Sequence, residues 1–378
     1  MVAHRPTAQS DVVVVGGGPA GLATGLAAAH AGLSVTVLES RQPPLDKACG
    51  EGLMAPAVAQ LRAWGLASVL DAAPPLKGLH YIHDEHRLTV DLPGAAWGRG
   101  LRRSTLHQAL TEAARRAGVR LVWGVKVTGH RVHGRGVEVD TSAGECHRAH
   151  WLVGADGLHS RVRSRLDPAR LRRPKPPRHV SPQAVLPSCV GPAVSRWGLS
   201  CHLRCAPWSE HIEVYWGPQG EAYVTPVGPH EVNIALLLRG KPGAFASHLA
   251  DYPALHARVR GAPVSSSVRG AGPLRQRVRV VARERIALVG DAAGYVDAIT
   301  GEGVHLALQQ AVALAPLLAA GDIRPYARRH RAIVRAPHAR MHALLALGRW
   351  PTPRAWLFAA LARHPAPFRV LARWSMTG

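Results

Sequence analysis

The sequence predicts an α/β fold: a parallel sheet between helices, interrupted by an inserted antiparallel sheet and closed by a helical tail. Three observations predict it. Asp11 to Gly21, Asp-Val-Val-Val-Val-Gly-Gly-Gly-Pro-Ala-Gly, holds four valines without polar alternation, which suits a strand buried on both faces that ends in glycines. Between Leu199 and Leu238 the pattern changes to short alternating runs separated by Gly-Pro turns, as in an antiparallel sheet with one face free to line a cavity. From Asp322 to Gly378, Leu/Ala-rich helical stretches such as His342 to Leu347 and Ala355 to Ala362 are broken by Pro351, Pro353, Pro365 and Pro367.

In the first element Gly16, Gly18 and Gly21 form G-x-G-x-x-G where strand meets helix. Gly16 permits a tight turn, Gly18 lets the backbone approach a pyrophosphate, and Gly21 lets the helix pack on the strand. Pro19 and Ala20 open that helix, whose positive N-terminus favours an anion. Leu33 to Leu38 reads as a second strand, and Glu39 stands about twenty residues downstream, where a carboxylate accepts ribose hydroxyls. Strand, glycines, helix, strand and acid in this order predict dinucleotide binding.

Arg41 to Pro56 contains Lys47-Ala-Cys-Gly-Glu-Gly-Leu53 and leaves the carboxyl edge of the sheet, where ligands collect. Ser40, Arg41 and Gly50 are therefore assigned to the cofactor edge, the alternative being a loop that only caps a helix. Leu79 to Val90, split by Asp84 and Glu85, reads as a hairpin of a different sheet. Ser104 to Ala117 reads as an amphipathic helix with Ser104 as N-cap, Leu106 and Leu110 on its apolar face, and Gly118 as C-cap. Arg103 just precedes it. Strands follow at Arg120 to Val127, Val137 to Asp140 and His150 to Val153.

Trp151 to Arg163 delivers Asp156 and Gly157 to a turn ahead of a basic helix. The carboxylate would orient amides or a ribose and Gly157 would leave room for a phosphate, unless this is an ordinary strand-to-helix turn. Pro168 to Pro192, dense in Pro and Arg, reads as a crossover linker. Trp208, Tyr215, Trp216 and Tyr223 cluster on the second sheet, as cover for an apolar substrate or as core. Arg285 to Val289 is a strand leading into Gly290-Asp-Ala-Ala-Gly294, and Thr300-Gly-Glu-Gly-Val-His305 opens a helix to about Ala319. Gly301, Glu302, Gly303 and Val304 would bring helix-end amides against a cofactor ring, with Asp291 on its hydroxyl-bearing chain.

The 378 residues suffice for a large core, and the net charge of +23 comes mostly from arginines scattered along the chain. Such a field attracts polyanions, including anionic lipid surfaces, NADPH and acyl-carrier proteins, but no nucleic-acid module is visible, and a solvated basic surface is the plainer reading. Five cysteines, Cys49, Cys146, Cys189, Cys201 and Cys205, include no C-x-x-C pair, so neither a disulfide framework nor a metal site is expected. Met1 to Ser10 is polar and the valine run too short for a signal-peptide core or a membrane span, which predicts a cytoplasmic protein.

Gly16-x-Gly18-x-x-Gly21 with Glu39, then Ala155-Asp156-Gly157, then Gly290-Asp291-Ala292-Ala293-Gly294 resemble, in order and spacing, the three-part signature of a family of FAD-dependent oxidoreductases. That superfamily includes the class A flavoprotein monooxygenases and the geranylgeranyl reductases. The resemblance implies a discontinuous Rossmann-like FAD-binding domain over residues 1–75, 101–170 and 276–320, a substrate sheet over 76–100 and 171–275, and a helical segment over 321–378. It implies that Glu39 binds the adenosine ribose, Arg103 contacts FAD, Asp156 and Gly157 touch FAD and a passing NAD(P)H, and Asp291 holds the flavin chain. Cys49-Gly-Glu-Gly52 and Thr300-Gly-Glu-Gly303 are similar to the reductases, whose cysteine loop lies over the flavin. Ala222-Tyr223-Val-Thr-Pro226 matches the reductases' Tyr-x-Trp-x-Phe-Pro strand only loosely, and the halogenases' Trp-x-Trp-x-Ile-Pro is absent.

The implied chemistry starts with hydride passing from NAD(P)H to FAD. The leading expectation is a monooxygenase that uses molecular oxygen, through a flavin C4a-hydroperoxide, on a small hydrophobic aromatic or polyketide-like metabolite. Reduction of prenyl double bonds is the alternative, with Cys49 as proton donor, although Cys49 also reads as a small buried residue. A third reading is a non-catalytic FAD protein acting through its basic surface. The tail would lid the site, lie on an anionic membrane, or pack on the FAD domain; peripheral membrane or carrier-protein contact is allowed and nucleic acid is not expected.

Overall fold

Two sheets organise the chain in a computed structural model that describes residues 6–91, 98–167 and 195–363. The Pro168 to Pro192 stretch, Cys189, Pro365 and Pro367 lie outside the described residues. The eight-stranded sheet runs in the order Ala282–Arg283, Ile286–Leu288, Cys146–Gly154, Pro6–Val15, Val35–Glu39, Arg120–Trp123. Gly136–Thr141 pairs antiparallel with Cys146–Gly154, and Val127–His133 continues that ladder. Gly124, with φ at 75°, turns the chain between Arg120–Trp123 and Val127–His133, so the single strand expected there is two.

The valine strand is central and covered on both faces. Val12 and Val14 pack among Leu22, Leu106, Leu110 and Leu308 of the helices Pro19–His30, Arg103–Arg116 and Gly303–Ala319. Val13 and Val15 pack among Leu152, Leu288 and Val162 on the opposite side. No position in the run meets water, which is why none is polar. Val15 pairs with Leu38 on one side and Gly154 on the other, and Gly154 pairs with Leu288. This register brings Gly16, Glu39, Asp156 and Gly290 out along one edge.

The second sheet has seven strands, in the order Arg269–Ala271, Arg196–Leu203, Glu231–Arg239, Gly220–Gly228, His211–Trp216, Gly78–His83, His86–Asp91. Its pairs are antiparallel except one: His211–Trp216 runs parallel to Gly78–His83, where the hairpin joins the sheet. Ser104 does not cap its helix. That helix starts at Arg103 without a side-chain cap of its own, and the Arg103 amide donates instead to Glu51 Oε1 at 2.7 Å. In the tail, Pro351 and Pro353 begin the helix Pro351–Arg363, since a first turn has no use for their missing N–H. Tyr326–Gly348, by contrast, carries Pro337 inside it. Among the described residues no helix is long and apolar enough to cross a membrane.

Candidate functional site

The aligned strand ends form the floor of the site. Gly16 has φ at 110°, and a Cβ there would strike the Ala155 carbonyl; a Cβ on Gly21 would strike the Gly16 carbonyl oxygen. A Cβ on Gly18 meets nothing within 4 Å, because its backbone borders open space at the uncapped N-terminus of Pro19–His30. Free amides and the helix dipole at that opening fit a pyrophosphate.

Two neighbours hold this loop in place. Buried His107 accepts the Leu45 amide at Nδ1 (3.3 Å), so its Nε2–H donates to the Gly17 carbonyl at 2.9 Å. Burial lowers its pKa and keeps it neutral for that tautomer. Glu39 Oε2 accepts the Gly17 amide at 2.8 Å, while Oε1 accepts the Arg41 amide and the Ser40 hydroxyl at 3.0 and 3.1 Å. Glu39, Ser40 and Arg41 line a cavity of about 230 Å³ together with Gly18 and Asp156. Asp156 Oδ2 accepts the Arg161 and Val162 amides at 2.7 and 3.3 Å, whereas Oδ1 is buried without a partner, as a site for a missing donor requires.

Gly18, Lys47, Arg103, Ala155 and Gly157 also line a second cavity of about 640 Å³, so the two spaces adjoin. Its near end carries Pro19, Ala20, Gly290, Asp291, Cys49, Gly50 and Gly301 to Val304. Gly290 donates its amide to Gln310 Oε1 at 2.6 Å, and buried Arg163 donates to the Asp291 and Ala292 carbonyls at 3.2 and 3.1 Å, fixing the turn. Gly303–Ala319 begins without a side-chain cap, leaving its first amides open toward this cavity. Arg103 is buried with Nη1 unpartnered, and burial lowers its pKa, so an anionic or carbonyl-rich group would complete it. These orphaned groups and the glycine openings fit FAD, which Gly18, Glu39, Arg103, Asp156 and Asp291 would hold.

Cys49 is pinned over the near end. Its amide donates to Ser200 Oγ at 3.4 Å, its carbonyl accepts Asn233 Nδ2 at 2.9 Å, and its Sγ accepts the Glu51 amide at 3.3 Å. Burial pushes the thiol up, against the pull of the Arg103 guanidinium, so it is protonated at neutral pH. Glu302 Oε1 meets Arg340 of the tail at 2.5 Å and thereby ties that helix to the glycine turn.

Beyond Cys49 the walls are apolar: Leu79, Leu88, Ile212, Val214, Trp216 and Tyr223 from the second sheet, Leu344, Leu347, Phe358 and Leu361 from the tail. Tyr223 donates its hydroxyl to the Ile299 carbonyl at 2.7 Å. Trp208 and Tyr215, also assigned to substrate from the sequence, are not in this wall. Both belong to the apolar cluster on the sheet's other face, and their polar hydrogens donate to Glu213 at 2.8 and 2.6 Å; Tyr215 is turned from Trp216 because successive strand residues point to opposite faces, and Trp208 lies in the loop before the strand His211–Trp216. His107, Gln310 and Arg340 escaped the sequence reading, and Glu51 and Arg163 entered it only inside the Lys47 to Leu53 and Trp151 to Arg163 stretches, with no role of their own. Among the described residues no group of His, Cys, Asp and Glu could hold a metal ion, and His202, between Cys201 and Cys205, is hydrogen-bonded to Glu51 and Ser266.

Residues 9–177 match the FAD binding domain family. The chain is 31% identical over 335 residues to the menaquinone reductase of Mycobacterium tuberculosis, covering 83% of this chain and 78% of that one. It is 30% identical to the digeranylgeranylglycerophospholipid reductase 1 of Methanopyrus kandleri, covering 79% and 77%. With the aurachin C monooxygenase/isomerase of Stigmatella aurantiaca it shares 27% identity over 96% of both chains. The fold is shared with a flavoprotein/dehydrogenase from Cytophaga hutchinsonii, at a TM-score of 0.78 and 16% identity over 98% of this chain and 93% of that one.

Proposed function

This chain belongs to the FAD-dependent oxidoreductases of the class A flavoprotein monooxygenase and geranylgeranyl reductase superfamily, and within it we propose an NAD(P)H-consuming reductase that saturates an isoprenoid double bond of a lipophilic substrate. The observation that carries the reading is Cys49, a protonated thiol in the wall that also holds Asp291 and Gly301 to Val304, at the head of a long apolar cavity. It reverses the order suggested by sequence alone, in which hydroxylation leads.

FAD, when bound, would take hydride from NAD(P)H and supply it to one alkene carbon. The chain's residues do the rest. Gly16, Gly18 and the helix end behind them would hold the pyrophosphate; Glu39 and Asp156 would meet sugar hydroxyls. The apolar wall from Leu79 to Leu361 would strip water from an isoprenoid chain and align its double bond. Cys49 Sγ–H would give its proton to the neighbouring alkene carbon, and the Arg103 guanidinium would steady the thiolate until solvent restores the proton. The two reductase relatives at 30–31% identity support this reading. The likeness to a monooxygenase over 96% of both chains keeps hydroxylation as the second reading, with Cys49 then only part of the wall.

The test is anaerobic turnover of FAD-loaded protein with NADPH or NADH and a prenylated lipid. A product heavier by two hydrogens is expected, and Cys49→Ala should cut its formation by about 100-fold or more while the nicotinamide still bleaches the flavin. Oxygen uptake stimulated by a lipophilic phenol, with an oxygenated product, would overturn the reductase in favour of the monooxygenase.

A further inference from the structure

The large cavity comes to the surface beside the tail helix Pro351–Arg363. Leu357 lines it and is still 39% exposed, and Leu274 lines it directly before exposed Arg275. Two exposed indoles neighbour these wall residues in the chain: Trp356, directly before Leu357, is 76% exposed, and Trp350, three positions after Leu347, is 62% exposed. Leaving two tryptophans in water is costly for a face that meets nothing else.

Arg349, which directly precedes Trp350, belongs to a cluster of positive charge. Arg275, Arg277 and Arg349 are exposed and close enough to perturb one another and His342. Desolvation, then the charges of Arg277 and Arg349, hold Arg275 below its ordinary value, and no carboxylate offsets them. Among the described residues none of the three makes an ion pair. Positive charge alone would suit any acidic partner; exposed indoles interleaved with it around an apolar mouth suit the headgroup region of a bilayer, where an amphipathic ring and a guanidinium are both satisfied.

We propose that the face formed by Arg275, Arg277, Arg349, Trp350 and Trp356 docks on an anionic membrane and receives the lipid substrate through the mouth beside Leu357. The inference rests on the lipophilic substrate proposed above, and two separate readouts keep them apart. FAD-loaded protein is sedimented with vesicles of phosphatidylcholine alone or of phosphatidylcholine with one quarter phosphatidylglycerol. Binding to the anionic vesicles is expected, and Arg275→Glu/Arg277→Glu/Arg349→Glu should weaken it by about tenfold or more. Trp350→Ser/Trp356→Ser should weaken it as well, at unchanged flavin content and melting temperature. Double-bond reduction on a detergent-solubilised prenylated substrate should be the same in all three proteins. Equal or absent sedimentation with both vesicle types overturns the docking face, as does binding that the tryptophan variant retains, which would mark a soluble acidic partner instead. A wild-type protein that sediments as expected yet reduces nothing in detergent leaves the docking face standing and removes the reductase.

Discussion

His202 Nε2 lies 2.7 Å from Glu51 Oε2, while the other oxygen of that carboxylate accepts the Arg103 amide at the same distance. One buried side chain thus joins the cysteine loop to a helix of the FAD-binding layer and a strand of the substrate sheet. It does so from a backbone with φ at 60°, a conformation that costs a non-glycine residue about 1 kcal/mol or more. Removing the carboxylate would strand a helix-end amide and an imidazole together. Glu51→Ala is therefore expected to cost about 3 kcal/mol in denaturant unfolding, and to weaken FAD binding because Cys49 and Arg103 lose their common anchor. Glu51→Gln, which can still bridge both partners, should cost about 1 kcal/mol. Equal losses in the two variants would mean the hydrogen bonds are not the source.

The two outer glycine positions of the helix end separate folding from cofactor binding. Gly21→Ala puts a methyl group against the Gly16 carbonyl and should lower the melting temperature of the FAD-free protein. Gly18→Val projects into open space and should leave that melting temperature within a few degrees, yet reduce FAD affinity by about 100-fold or more, since it fills the ground of the pyrophosphate. Thermal melts with and without FAD read both effects, and a Gly18→Val protein that holds flavin normally would remove the pyrophosphate from this spot.

The floor of the candidate site, as a set of aligned strand ends and turns, was legible because its determinants are local: the valine run makes a buried strand, and Gly16, Gly157 and Gly290 each require a particular turn within a few residues. What tightens the site was not. Glu51 acts on partners 52 and 151 positions away, Asn233 reaches Cys49 across 184, and Arg163 reaches the Asp291 turn across 128, distances no window on the sequence spans. Ser104 was misread for the same reason, its helix being capped by Glu51. Aromatic strand residues announce a sheet but not its facing, so Trp216 and Tyr215, adjacent in sequence, were given one role and hold two.

That division of the aromatics has a measurable consequence. Trp216 is in the cavity wall and Tyr215 behind it, bonded to Glu213. Trp216→Leu should raise KM for a long isoprenoid substrate several-fold. Tyr215→Phe should leave KM unchanged and cost about 2 kcal/mol of stability, the worth of one hydrogen bond to a charged acceptor. Steady-state kinetics beside denaturant unfolding distinguish the two, and a KM change in Tyr215→Phe would contradict the facing assigned here.

Asp297 gives the fold a predictable response to pH. Its Oδ2 lies 3.0 Å from Arg196 Nε, and Arg196 Nη2 is 2.5 Å from Glu221 Oε2, so two buried carboxylates share one guanidinium. Burial, aided by the Glu221 charge and opposed by Arg196 and the Ile299 amide, raises Asp297 from 3.8 to about 6. The folded chain therefore keeps a proton that the unfolded chain has already released. The stability this confers is fully present below 3.8 and is lost as pH rises through about 6. Asp297→Asn stays neutral throughout and can still accept the Ile299 amide. It should be no more stable than wild type near pH 4.5 and should gain on it by at most about 3 kcal/mol toward pH 7.5. Melting curves of both proteins across that window make the comparison, and a difference that stays flat, or that moves toward the wild type as pH rises, would mean that Arg196 and not burial governs the carboxyl.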